Sequence, residues 1–295
     1  MIHFENMKEL IGLAEQEHVP IWKLILQHEA ATAQQTEAVI FEAMRKNWLV
    51  MQEAVIRGIA NEEKSASNLV GGDAKRLQIY LQNSNSGSYA GNTILKTAAY
   101  ALGVSEVNAV MGKIVACPTA GSCGILPAAV WAAAEKKNIG ETEIVQALFT
   151  AAGVGMVIAE NASIAGAEGG CQAECGSAAG MAAAALVELA GGTPVQIGNA
   201  VALVLKNMLG LVCDPVAGLV EVPCVKRNGF AAIQAVLAAD MALAGIESII
   251  PVDEVIDAMY QIGIALPKSL RETSEGGLAD TPTGRNIEKL LYKDN

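Results

Sequence analysis

Four of the six cysteines, Cys171, Cys175, Cys213 and Cys224, fall between residues 160 and 228. They lie in ENASIAGAEGGCQAECGSAAG and LVCDPVAGLVEVPCVKRNG, among glycines, prolines and small residues that let backbone approach a bound group closely. Cys171 and Cys175 are four apart and could share one helix face. Cys213 and Cys224 flank DPVAGLVEVP, in which two prolines set a tight loop. Sulfur in this setting can do one hard piece of chemistry. Iron–sulfur clusters take thiolate ligands, and a cubane held by only three protein thiolates leaves one iron open. An open iron is a Lewis acid that binds a hydroxyl or carboxylate oxygen and makes hydroxide a better leaving group. That suits dehydration of a small hydroxy or amino acid without redox change. Free structural thiols are the other reading of the same spacing.

Absences narrow the alternatives. The three histidines are His3, His18 and His28, so the body of the chain offers none for a Ser-His-Asp triad or a histidine-based zinc or iron site. No G-x-x-x-x-G-K-S/T loop occurs, and the glycines from Gly166 to Gly170 follow no strand and form no G-x-G-x-x-G. A general base is commonly a histidine. Within this chain only His28 offers itself, and an exposed helix histidine is its plainer identity.

Three further stretches carry candidate contacts. In NEEKSASNLVGGD, from Asn61, the residues Ser65, Ser67, Asn68 and the Gly71–Gly72 pair could line a site with hydroxyls and N–H groups, or form an ordinary surface loop. In CPTAGSCGILPA, from Cys117, a turn leads into a helix, where Thr119, Ser122 and backbone N–H groups could cradle a carboxylate. Cys117 and Cys123 are six apart, which matches no common zinc spacing and suits buried thiols. Lys226, Arg227 and Asn228 follow Cys224 and could meet a carboxylate, tune a cluster or form a solvated basic turn.

These residues need elements to hold them, and the pattern is helical. The chain of 295 residues is 52% hydrophobic but only 4% aromatic, a composition for closely packed small-residue helices. The spacing predicts helices from Met7 to Glu29 with a break at Pro20, then a long amphipathic one on Ile40, Met44, Trp48, Met51, Val55 and Ile59. Others are expected over 75–81, 94–102, 142–160, 230–243, 251–266 and 287–292, with NSNSGSYAGN (83–92) a break. Strand signals are scarce, LVEVPCV and SIIPV being the best. The expected class is all-α or nearly so, either as an N-terminal helical arm over 1–60 and a catalytic domain over 61–295 or as one continuous domain.

A net charge of −11 argues against nucleic acid or anionic membrane as the main partner. The N-terminus has no basic region followed by an apolar run, so cytoplasmic location with reduced cysteines is expected. Uncharged runs starting at Ile114 and from Leu189 to Leu205 approach the length of a bilayer span, but internal prolines and glycines break both. A helical membrane carrier for a small amino acid is the competing reading of these runs, and a catalytically silent scaffold subunit is a third.

CQAECGSAAGMAAA, CDPVAGLVEVPC and KRN resemble the iron–sulfur-dependent bacterial L-serine dehydratases, specifically the α chain of the two-chain form. SASNLVGGDAKRL, ACPTAGSCGILPAAV, NASIAGAEGGCQAE and RETSEGGLADTPTGR extend the resemblance over essentially everything after Asn61. It implies an oxygen-sensitive 4Fe–4S enzyme with an all-helical catalytic domain, converting L-serine to pyruvate and ammonia without pyridoxal phosphate. The family's three cluster cysteines fall on Cys171, Cys213 and Cys224, leaving Cys175, Cys117 and Cys123 without an implied role. Substrate contacts are expected from Ser65, Ser67, Gly71, Gly72, Asp73, Thr119, Ser122 and Asn161. The resemblance also implies a smaller β chain with a Ser/His-rich motif. That partner would complete the site and supply the base, so the isolated α chain is expected to be incomplete.

Overall fold

The computed structural model describes residues 2–83 and 87–293. The regular structure among the described residues is helical, with no strand beyond one isolated bridge between Cys213 and Arg271. Helix α1 (Met7–Glu17) starts where the Asn6 side chain accepts from the Glu9 N–H, and Pro20 separates it from α2 (Ile21–Thr32). The Thr36 hydroxyl caps α3 (Glu37–Ala60). There follow α4 (Asp73–Gln82), α5 (Gly91–Ala109), α6 (Ile125–Lys137), α7 (Glu141–Asn161) and the short α8 (Gly166–Gly169). The chain closes with α9 (Ser177–Leu189), α10 (Pro194–Met208), α11 (Cys224–Leu243), α12 (Val252–Ala265) and α13 (Pro282–Leu291). Part of the break expected over 83–92, residues 84–86, lies outside the described residues.

Helix α9 is the axis of the fold. Every residue from Ser177 to Val187 is buried, and α6, α7, α10 and α11 pack around it. Its SAAGMAAAALV face is small on all sides, so four neighbours can approach closely without steric conflict. The same logic recurs where α3 crosses α5. A Cβ at Gly58 would stand 2.2 Å from the Gly103 carbonyl carbon, so these backbones touch directly. The N-terminal helices share this core: Met7, Leu10, Ile25 and Trp48 are buried in one continuous apolar cluster with α7 and α9.

Two expectations need correction. LVEVPCV is not a strand, because its backbone folds on itself: Val216 N–H donates to the Val222 carbonyl at 2.8 Å and Glu221 N–H to Leu219 at 2.7 Å. SIIPV is not one either. Ser248 N–H donates to Asn199 Oδ1 at 2.8 Å, and the segment turns into Pro251, which opens α12. In both, local turns satisfy the groups a ladder would have used.

The long uncharged runs are also interrupted. The run from Ile114 holds a 3-10 turn (Ala120–Ser122) before α6, and that from Leu189 is broken where Thr193 and Gln196 cap α10 reciprocally. Among the described residues one helix, Glu141–Asn161, is long and apolar enough to cross a membrane, and 61% of its apolar window is buried in the protein.

Candidate functional site

Three separate segments deliver the central cysteines. After α8 the chain turns at Gly170, with φ of +77°, where a Cβ would stand 2.7 Å from Leu266 Cδ1 and 2.9 Å from the Leu211 carbonyl oxygen. Cys171 follows, and residues Gln172–Gly176 form a π-helical turn before α9 continues. Such turns are rare and recur at functional sites, because the wider coil re-aims side chains that an α-helix would stack. Cys213 enters on the loop between α10 and α11. Its N–H donates to the Leu270 carbonyl at 2.9 Å, and its carbonyl accepts from Glu272 N–H at 2.7 Å. Cys224 is the first residue of α11.

None of the six cysteines is in a disulfide, and Cys171 and Cys213 are buried while Cys224 is partly exposed. The three thiols act on one another across the segments. Burial raises Cys213 above the usual thiol range, and the charges of Cys171 and Cys224 raise it further. Burial and the charge of Cys171 push Cys224 up to about 12. Cys171 runs the other way: it shares a hydrogen bond with Cys175 across 3.3 Å and lies beside the Arg227 guanidinium, which together favour the thiolate. Arg227 is anchored in turn, donating to the Val212 carbonyl at 2.8 Å and pairing with buried Asp214 at 2.9 Å.

Most of the segments nominated from sequence attach to the stretch from Glu221 to Asn228 around Cys224. Ser65 Oγ donates to Glu221 Oε2 at 2.7 Å, and the Ser67 hydroxyl donates to the same oxygen, three residues before Cys224. Asp73 pairs with Lys226, two residues after Cys224; burial opposes ionisation there, but the ammonium holds the carboxyl below its usual range. Gly71 and Gly72 form the left-handed turn that starts α4, where the N–H groups of Gly72, Asp73 and Ala74 all donate to Glu106. Thr119 and Ser122 bond each other's hydroxyls at 3.1 Å in a reciprocal cap, and Asn228 holds the turn to α11 by donating to the Gly121 carbonyl at 2.7 Å. Asn161 points elsewhere. Its amide donates to the Glu5 and Val157 carbonyls, and it lines a cavity of about 540 Å³ with His3 and His28. His28 Nδ1 lies 3.0 Å from the Ile2 carbonyl, in the N-terminal part of the structure.

Sequence reasoning missed four acidic residues. Glu174 sits in the π-helical turn, 4.0 Å from Cys213 Sγ and hydrogen-bonded to the Thr119 side chain; burial pushes its pKa up. Glu221, Glu106 and Asp214 are buried, at 7%, 1% and 2% exposure, so each must be satisfied from within. A signal existed: each is an acid set in an otherwise apolar or small-residue run, as in CQAEC, LVEVP and VCDPV.

No three His, Cys, Asp or Glu side chains among the described residues close on one point tightly enough for a single metal ion. The donor set fits a larger group. Cys171, Cys213 and Cys224 are reduced, come from three segments and feel one another's charge, and Arg227 stabilises the Cys171 thiolate. Only bare backbone fits at Gly166, where a Cβ would stand 3.0 Å from Cys213 Sγ. These thiols could ligate an iron–sulfur cluster.

Fold and site together define an all-helical protein whose reactive groups are thiols and carboxylates drawn to the start of α9 and α11, with no histidine among them. Residues 16–279 match the family described as "Serine dehydratase alpha chain", and the chain belongs to that family. It is 53% identical over 289 residues to a "Probable L-serine dehydratase, alpha chain" of Bacillus subtilis, covering 98% of this chain and 95% of that one. It is 45% identical over 288 residues to the "L-serine dehydratase, alpha chain" of Peptoniphilus asaccharolyticus, covering 97% and 98%. A longer relative, an "L-serine dehydratase" of Streptomyces coelicolor, is 38% identical over 283 residues, which are 94% of this chain but 60% of that protein.

Proposed function

We propose that this protein is the α chain of an L-serine dehydratase that converts L-serine to pyruvate and ammonia, and that Cys171, Cys213 and Cys224 hold a 4Fe–4S cluster. The observation that carries this reading is the approach of three free thiols from three segments, in a chain so similar to named dehydratase α chains. A cluster held by three thiolates supplies a Lewis acid that assists departure of the substrate hydroxyl as hydroxide. The net change is loss of water from serine, then tautomerisation and hydrolysis of the resulting enamine to pyruvate and ammonia. Pyridoxal phosphate has no part in it.

This chain's own residues position and enclose. Arg227 offsets the charge of the thiolates and stays fixed by Asp214. The Ser65–Ser67 segment, the Gly71–Gly72–Asp73 turn and the Thr119–Ser122 turn are clamped to the stretch from Glu221 to Asn228 around Cys224, where they are suited to contact substrate. Asn161 is expected with them from sequence, but its hydrogen bonds direct it to the N-terminal cavity. Removal of the α-proton needs a base, and we assign it to a β chain that covers the site, with His28 held by the Ile2 carbonyl as the weaker candidate. The longer Streptomyces relative has the additional length such a chain would supply. Reduced thiols suit the cytoplasm. A membrane carrier would need several apolar spans, against the one mostly buried helix that qualifies among the described residues.

The test is oxygen-free purification with the co-expressed β chain, followed by iron, sulfide and pyruvate measurement. Stoichiometric iron and sulfide with serine turnover support the reading. A colourless, iron-free protein that is fully active defeats it.

A further inference from the structure

We propose that Arg271 receives the α-carboxylate of the amino-acid substrate; the proposal rests on the dehydratase reading above and names the cation that anchors serine beside the cysteines. The backbone of Arg271 is bridged to Cys213, whose N–H donates to the Leu270 carbonyl at 2.9 Å and whose carbonyl accepts from Glu272 N–H at 2.7 Å. Both side chains then meet α8. Arg271 Nη1 donates to the Glu168 carbonyl at 3.4 Å, and a Cβ at Gly166 would stand 3.0 Å from Cys213 Sγ. The guanidinium thus reaches from the Cys213 loop to the turn that leads into Cys171.

This guanidinium is under-used. Of the six arginines, Arg45, Arg57, Arg76, Arg227 and Arg285 each pair with a carboxylate, whereas among the described residues Arg271 pairs with none. Its one side-chain hydrogen bond is the long one to Glu168, and its Nε–H is buried with no acceptor. An unmade buried donor costs free energy, and such groups persist where a ligand completes them. With Nη1 turned to Glu168, Nε and Nη2 remain as a fork that takes one carboxylate through two parallel bonds. The cations around Cys224 are already engaged: Arg227 pairs with Asp214 at 2.9 Å, and Lys226 pairs with Asp73. The loop carrying Arg271 is also held in an unusual shape. Glu272 and Ser274 take φ of +63° and +57°, and the Ser274 hydroxyl fixes the turn by donating to the Pro215 carbonyl at 2.7 Å. Backbone of this kind recurs in loops that clamp ligands. An α-carboxylate supplies both missing acceptors and the opposite charge. An amide in its place brings one acceptor and no charge, so the contact discriminates serine from its amide.

The experiment compares wild type, Arg271→Lys and Arg271→Gln in the complete, anaerobically loaded enzyme. It measures iron and sulfide per chain, kcat and KM for L-serine, and the inhibition constant of L-serinamide, in which an amide replaces the carboxylate. Expected for Arg271→Gln is unchanged iron, a KM for serine raised about 10–100-fold, and a preference for serine over serinamide reduced by a similar factor. Arg271→Lys, which keeps the charge but not the fork, recovers part of that preference. Equal shifts for serine and serinamide, an unchanged serine KM, or loss of iron from both variants overturns the assignment while leaving the dehydratase reading intact. A wild-type enzyme that fails to deaminate serine removes that reading first, and this one with it.

Discussion

Cys175 Sγ lies 3.3 Å from Cys171 Sγ, within hydrogen-bond reach, beside a turn that is π-helical rather than α-helical. The two cysteines of CQAEC are therefore not equivalent. The hydrogen bond between them and the Arg227 guanidinium draw Cys171 toward the thiolate, while the same bond and burial hold Cys175 as the thiol.

That asymmetry gives the first prediction. Cys171→Ala and Cys213→Ala should leave the chain without iron or visible colour. Cys175→Ala should still take up iron, holding it about 10–100-fold less tightly, as for loss of a group that orients a ligand. Chelator competition on the three variants measures this, and retention of full iron by Cys213→Ala would sink the ligand assignment.

Packing gives the second. Gly58→Ala drives a methyl group to within 2.2 Å of the Gly103 backbone, and neither helix has a flexible side chain there to move aside. The expected loss is about 1–3 kcal/mol or more, read as a lower Tm. At Gly12, in α1, a methyl group would meet nothing within 4 Å, and Gly12→Ala should instead be neutral or stabilise by roughly 0.5–1 kcal/mol.

A third concerns the buried pair behind the site. Asp214 carries the Arg227 contact at 2.9 Å and also accepts the Leu278 N–H at 2.7 Å, tying the C-terminal segment to the Cys213 loop. Asp214→Ala leaves the guanidinium short of its counter-charge, at a cost of about 3–5 kcal/mol. Hydrogen exchange should then rise around residues 213 and 278. Unchanged exchange at both would show that the pair does not hold the loop.

The fourth is a pH effect far from the cysteines. Burial raises the pKa of Glu188 above 4.5, with Thr150 Oγ1 donating to it at 2.6 Å. The folded state thus keeps this proton at a pH where the unfolded chain has lost it. The resulting stability is full below 4.5 and is lost as pH rises through the folded value. Glu188→Gln should flatten the urea midpoint between pH 4.5 and neutrality relative to wild type. Parallel profiles for the two proteins would rule the effect out.

Much of the framework was legible in the sequence because helix period, capping and proline placement act locally. The long amphipathic α3, the break at Pro20 and the apolar α7 all announce themselves through neighbours three or four residues apart. The strand readings of LVEVPCV and SIIPV failed for a related reason. Their β-branched residues satisfy a strand pattern, but no partner strand exists among the described residues, and local turns took the backbone groups instead.

The sequence alone determined an all-helical chain, the cysteines available for chemistry and the absence of histidine after His28. Tertiary structure decided what those residues meet. Ser65 bonds Glu221 across 156 positions, and Asn228 grips Gly121 across 107, contacts that no local period encodes. Arg227 and Lys226 likewise find Asp214 and Asp73 only in the folded arrangement of charges.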